Sequence, residues 1–134
     1  MCRGENVAYR ILIADDSAAI RDVLREALVD EGYDVSEAAS GDDVLAEFNG
    51  SGAPKPDLVL MDIQLPEVSG LDVAKWIRDD ETLKGTPVIA VTAFAMSEDD
   101  QKIKDAGCIT AIPKPISVKP FLELVAKTLT ETVV

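Results

Sequence analysis

Short apolar runs separated by helical stripes organise this chain. Arg10-Ile11-Leu12-Ile13-Ala14, Asp57-Leu58-Val59-Leu60-Met61 and Pro87-Val88-Ile89-Ala90-Val91 are apolar on both faces and rich in Val, Ile or Leu. Runs of that length without alternation are expected of central parallel strands. Tyr33-Asp34-Val35-Ser36-Glu37 alternates apolar and polar, as an edge strand does, and Cys108-Ile109-Thr110-Ala111-Ile112 is a weaker fifth candidate.

The gaps carry helical periodicity. Ser17 is placed to cap a helix with the stripe Ile20, Val23, Leu24, Ala27 and Leu28, closed by Gly32. Ser40 caps a second, with Val44, Leu45 and Phe48 facing inward. Gly70 precedes a third carrying Leu71, Ala74, Trp76 and Ile77. Ser97 opens a fourth, with Asp99 and Asp100 in the turn where carboxylates suit the helix dipole, and Gly107 stops it. Ser117 starts a fifth with Phe121, Leu122, Leu124, Val125 and Leu129, and Thr130 to Val134 are expected to fray. Asn49 to Pro56 reads as a loop.

Strand and helix alternate five times, which predicts an α/β fold: a doubly wound parallel sheet with helices on both faces and right-handed crossovers. A length of 134 residues suits one domain, and 47% hydrophobic residues suffice for a core. No apolar run approaches the roughly 20 residues of a membrane-spanning helix. Met1 to Asn6 contain no apolar signal segment behind Arg3, so a cytoplasmic protein with no membrane partner is expected.

Asp plus Glu number 25 against 13 Lys plus Arg, a net charge of −12. Phosphate backbones are bound through concentrated positive charge, so direct nucleic-acid binding is not expected. Cys2 and Cys108 are too few for a disulfide framework or a zinc site, and Cys108 is expected to be a small buried hydrophobe. The absence of histidine excludes a Ser-His-Asp apparatus within the chain, and phosphoryl transfer through a histidine of its own.

Ligands of open parallel sheets bind at the carboxyl ends of the strands, where strand order reverses. Here the first strand ends in Asp15-Asp16, the third in Asp62, the fourth in Thr92-Ala93 and the fifth in Lys114-Pro115. Each alone reads as a cap, strand filler or solvated charge. Together they form an acidic cluster whose mutual repulsion calls for a proton, a base or a cation. Carboxylates are hard ligands suited to Mg²⁺, which is commonly completed by phosphate. A divalent ion and a lysine beside a carboxylate meet the needs of phosphoryl transfer, with Asp62 as nucleophile and the Thr92 hydroxyl on a phosphoryl oxygen.

Ile11 to Ser17, Pro56 to Pro66, Val91-Thr92-Ala93 and Lys114-Pro115-Ile116 resemble the receiver domains of two-component response regulators, a CheY-like, flavodoxin-like family. The resemblance runs from about Val7 to Thr130. It implies a receiver domain over 7–130, short flexible tails at 1–6 and 131–134, and a (βα)5 sheet of strand order 2-1-3-4-5. It makes Asp62 the phospho-acceptor, Asp16 and Asp62 direct Mg²⁺ ligands, Asp15 a ligand through water and the Gln64 backbone carbonyl the third protein ligand, with Mn²⁺ able to substitute. Thr92 becomes the switch hydroxyl and Lys114 the phosphoryl contact.

The same resemblance implies a sensor histidine kinase or histidine phosphotransfer protein as donor, approaching near Ala18, Ala19 and Val23. The response would leave through a protein target at the face of the fourth helix, fifth strand and fifth helix, since no output domain follows. The domain would not be an enzyme, although it would assist its own Mg²⁺-dependent phosphorylation and dephosphorylation. One position departs from the family pattern: Ala111 stands three residues before the lysine, where receivers often carry Tyr or Phe. Phe94 is a candidate substitute for that ring, and Pro113 stiffens the approach to Lys114. A Mg²⁺-dependent phosphatase is the competing enzyme class. It wants a general acid two residues after the nucleophile, and position 64 is Gln. A flavodoxin-like cofactor binder is disfavoured by Asp15-Asp16, which would repel a phosphate.

Overall fold

Alternate residues along each strand serve two different cores. In a computed structural model, described over residues 9–44, 56–63, 70–80, 86–92, 97–113 and 116–132, five parallel strands form one sheet. They are β1 (Arg10–Ala14), β2 (Asp34–Ala38), β3 (Leu58–Asp62), β4 (Val88–Thr92) and β5 (Thr110–Pro113), in the order β2-β1-β3-β4-β5. Helices α1 (Ala18–Asp30), α2 (described over 41–44), α3 (Gly70–Asp79), α4 (Ser97–Asp105) and α5 (Val118–Thr132) follow the strands in turn.

One core joins Ile11, Ile13, Leu58, Leu60, Ile89 and Val91 to Leu24 and Leu28 of α1 and to Phe121, Val125 and Leu129 of α5. The other joins Leu12, Ala14, Val59, Met61, Val88 and Ala90 to Val44, to Val73, Ala74 and Ile77 of α3, and to Ile103 of α4. Successive strand side chains point to opposite faces, so α1 and α5 cover one side and the remaining helices the other. Every residue of β3 and β4 is buried, as expected of central strands. Each fully buried aliphatic side chain contributes about 1.5–3 kcal/mol, so both layers are needed.

The helix ends follow local chemistry. The Ser17 side chain accepts a hydrogen bond from the Ile20 amide, and the Ser40 hydroxyl accepts one from the Asp43 amide. Gly32 and Gly107 take positive φ of 93° and 100°. At the first, Gly32 N–H donates to Val29 and Tyr33 N–H to Leu28. At the second, Gly107 N–H donates to Lys104 and Cys108 N–H to Ile103. Both are the paired closing bonds of a Schellman motif, which needs a left-handed residue.

Several expectations are corrected. β2, β3 and β4 each lie one residue later than their sequence patterns, and β5 is Thr110–Pro113 rather than Cys108–Ile112. Cys108 is held by the bond that closes α4, and Ile109 N–H donates to Val88, before the β5 ladder begins. Val23 and Trp76 do not face the core: they are 52% and 44% exposed. Val73, which the pattern left out of the α3 stripe, is fully buried. The chain after Leu129 continues as helix to Thr132, because buried Thr128 and Leu129 anchor the last turn. Cys108 is a buried thiol, as expected. Leu45, Phe48 and most of the 49–56 loop lie outside the described residues. Among the described residues, no helix is long and apolar enough to cross a membrane.

Candidate functional site

The strand order reverses direction between β1 and β3, and the carboxyl ends of these two neighbours carry the acidic residues. Ile11 pairs with Leu58 and Ala14 with Met61, so the ends of the two strands are level. Asp62 is the last residue of β3, and Asp15 and Asp16 leave β1 directly. One carboxylate oxygen from each of Asp15, Asp16 and Asp62 lies within 4.8 Å of the other two. Asp15 and Asp62 are buried at 2% and 3% exposure, whereas Asp16 faces solvent.

Backbone contacts position Asp15 and Asp62. Asp15 N–H donates to the Ala38 carbonyl of β2 at 3.0 Å, which continues the β1–β2 ladder past the end of the strand. The Asp15 Oδ1 accepts from Ser17 N–H at 2.8 Å, so one carboxylate oxygen shapes the turn into α1. Asp62 stays in the sheet through its pairing with Val91 of β4, and Ile63 N–H donates to the Val91 carbonyl. Thr92 follows Val91, ends β4 and is fully buried. Its register partner is Pro113, the last residue of β5. β5 therefore ends on the Thr92 side of the acidic group.

Three unit charges this close are unstable without compensation. At 4.8 Å and an effective dielectric near 20, one pair repels by about 3.5 kcal/mol. The donor set is all oxygen and partly exposed through Asp16. Those properties fit a hard divalent cation that keeps some of its water, as Mg²⁺ does. They do not fit zinc in a structural site, which takes thiolate and imidazole ligands.

A model of the response regulator receiver domain matches residues 11–126. The chain belongs to the response regulator receiver family. The polar-differentiation response regulator DivK of Brucella ovis is 45% identical over 115 residues, covering 86% of this chain and 91% of that protein. DivK of Brucella anthropi is 44% identical over the same shares. Among solved structures, a CheY-like receiver domain protein from Methanospirillum hungatei superposes with a TM-score of 0.84 at 32% identity, covering 94% of this chain and 97% of that one. Chemotaxis response regulator CheY4 of Vibrio cholerae superposes with a TM-score of 0.84 at 27% identity, covering 91% and 99%. The sheet order matches the one the receiver resemblance implies.

Asp15, Asp16 and Asp62 thus converge, with Thr92 one strand away. Gln64, Lys114 and Phe94 lie outside the described residues. Ala111 is half-buried, paired with Ala90 and packed against the core that includes Ile103 and Ala106.

Two further residues shape this receiver site that the strand-end pattern did not single out. Gly70 N–H donates to the Ile63 carbonyl, and a Cβ at Gly70 would collide with the Asp62 carbonyl oxygen and stand 2.7 Å from Ile63 Cα. Arg21 donates from Nη1 to the Asp15 carbonyl at 3.1 Å. Helical side chains lean toward the helix N-terminus, so an arginine that closes the first turn of the helix after a strand-end aspartate is a readable signal.

Proposed function

We propose that this receiver takes a phosphoryl group on the carboxylate of Asp62 and passes the event on through altered protein contacts. The observation that carries the reading is the convergence of Asp15, Asp16 and Asp62 at the strand-order reversal, beside buried Thr92. Asp16 and Asp62 would hold Mg²⁺ directly, Asp15 through water and Gln64 through its backbone carbonyl. Bound there, the cation supplies charge neutralisation for the carboxylates and the incoming phosphoryl oxygens.

The chain's own residues do the rest. An Asp62 oxygen attacks phosphorus in line while the donor's phosphorus–nitrogen bond breaks, the leaving imidazole keeping the electron pair. Asp15 and Asp16, fixed by the β1 end, keep the nucleophile's neighbourhood acidic enough to need the cation. Lys114, on the segment after β5, contacts the phosphoryl group. The Thr92 hydroxyl donates to a phosphoryl oxygen once the adduct exists, and its movement changes the loop that follows β4.

The donor is a sensor histidine kinase or histidine phosphotransfer protein. Ala18, Ala19 and Val23 of α1 are exposed beside the Asp15-Asp16 end and suit a small apolar contact with it. The outgoing contact is the α4, β5 and α5 face, where Ile109 and Val118 are exposed apolar groups. A cytoplasmic setting and a receiver unit spanning 7–130 belong to this reading. Incubation with acetyl phosphate and Mg²⁺ tests it against phosphatase chemistry. One phosphoryl group retained per chain supports the switch, and continuous multiple turnover of phosphate esters would overturn it.

A further inference from the structure

A chain of polar contacts leads from the edge strand to the backbone of the acidic site. Glu37 of β2 sits between two arginines one turn apart on α1. Its Oε1 lies 3.2 Å from Arg21 Nε and its Oε2 accepts from Arg25 Nη1 at 2.8 Å. Arg21 in turn reaches forward with Nη1 to the Asp15 carbonyl. Its side chain is only 16% exposed, against 34% for Arg10, 40% for Arg25 and 44% for Arg78 in the other ion pairs.

The Asp15 carbonyl belongs to the peptide that joins Asp15 to Asp16. On the other side of the same residue, Asp15 N–H is tied to Ala38 of β2. Both peptides around Asp15 are therefore held, one by the sheet and one by Arg21. Rotation of the Asp15–Asp16 peptide would swing both carboxylates away from Asp62. The guanidinium suits the task because Nη1 donates to the Asp15 carbonyl while the Glu37 carboxylate, an ion-pair contact beside Nε rather than a hydrogen bond, holds the charged plane on the β2 side.

We propose that Arg21 is a positioning residue for the divalent-cation site, and that Glu37 sets its orientation. This rests on the reading of Asp15, Asp16 and Asp62 as that site. A surface ion pair with no such role would contribute little to anything measurable. A residue that holds the backbone of metal ligands should act on cation affinity more than on folding.

The test uses the full chain and Mn²⁺, followed by loss of the free-ion electron paramagnetic resonance signal and checked by Mg²⁺ competition. Metal-free melting curves are recorded in parallel. Arg21→Met should raise the Mn²⁺ dissociation constant about tenfold, the lower end of the usual scale for outer contacts to metal ligands, and Glu37→Gln, one contact further out, should raise it by less, about threefold. Arg21→Lys should recover only part of the loss, since an ammonium cannot reproduce the fork. Should Arg21→Met fail to fold, Glu37→Gln on the exposed strand decides the matter. Mn²⁺ affinity within about twofold of wild type in the folded variants would overturn the role of Arg21. Wild-type protein that binds neither Mn²⁺ nor Mg²⁺ would overturn the functional reading itself, a result distinct from the first.

Discussion

Gly70, the first residue of α3, is packed against the backbone of Asp62 so closely that no side chain fits between them. The contact is backbone to backbone, with the Asp62 carbonyl carbon 2.9 Å from where a Cβ would stand. Rotamer changes cannot relieve it. Gly70→Ala must push α3 away from the β3 end or displace Asp62. The expected cost is about 1–3 kcal/mol in denaturant unfolding, the range for overpacking. Phosphoryl uptake should fall as well, because the displaced group carries the proposed nucleophile. A variant with wild-type stability and uptake would show that the helix is free to shift.

Gly107 presents a different constraint. Its φ is 100°, and an added Cβ would lie 3.1 Å from the Arg78 Cβ and Cδ. Arg78 also reaches the Asp105 carbonyl at the end of α4, so the glycine lets α3 and α4 close on each other. Gly107→Ala should cost about 1–2 kcal/mol, the price of a left-handed alanine. Arg78→Ala combined with Gly107→Ala should relieve only the contacts with Arg78 Cγ and Cδ, since alanine keeps the Cβ, and the backbone strain should remain. Thermal unfolding of the two variants separates these contributions.

Cys108 makes stability depend on alkaline pH. Burial pushes its thiol up from 9.0 to about 11. The folded state therefore keeps a proton that the unfolded state gives up. The resulting stability is complete below pH 9 and is lost as the pH rises toward 11. A shift of this size corresponds to about 2–3 kcal/mol. Cys108→Ala should flatten that part of the curve in urea titrations run across pH 8 to 11. In a Cys2→Ser background, Ellman's reagent at pH 8 should label the native chain only as fast as it opens.

Ser17 links the first helix to the acidic end of β1. Its hydroxyl caps the Ile20 amide, and its own N–H is held by the Asp15 carboxylate. Ser17→Ala removes only the first of these and should cost about 1 kcal/mol. Asp15→Asn keeps an acceptor for the Ser17 amide while removing a charge from the cluster. It should leave the melting temperature near or above wild type while weakening Mg²⁺ binding. A large loss of stability without loss of Mg²⁺ affinity would make Asp15 a turn residue and nothing more.

The parts of this architecture legible in the sequence were those governed by local periodicity. The alternation of Leu12 with Ile13 and of Val59 with Leu60 required two covered faces, and both are covered. Gly32 and Gly107 ended helices where an L-residue would be strained. The apolar runs stop at Met61 and Val91, and the polar strand-end residues Asp62 and Thr92 complete β3 and β4. Pairing with Val91 and Pro113 holds them in the ladder, and polarity does not decide a strand's end where a neighbour supplies partners.

Trp76 is 44% exposed although its size and apolar character suit a core position. In α3 the buried stripe runs through Val73, Ala74 and Ile77, leaving position 76 at the helix flank. The acidic group was legible because strand ends of a parallel sheet share one edge. The Gly70 contact was not, since it depends on how near α3 approaches β3. Arg21 lay between the two: its spacing from Asp15 is visible in sequence, but its pairing with Glu37 depends on β2 lying beside β1.

Intact-mass measurement after incubation with acetyl phosphate and Mg²⁺ tests the central claim most directly, with wild-type and Asp62→Asn chains side by side. The wild type should gain one phosphoryl group that hydroxylamine removes, as an acyl phosphate requires, and that is lost when Mg²⁺ is chelated beforehand. Asp62→Asn should gain none while keeping its fold. Equal, stoichiometric labelling of the Asp62→Asn chain would contradict the account.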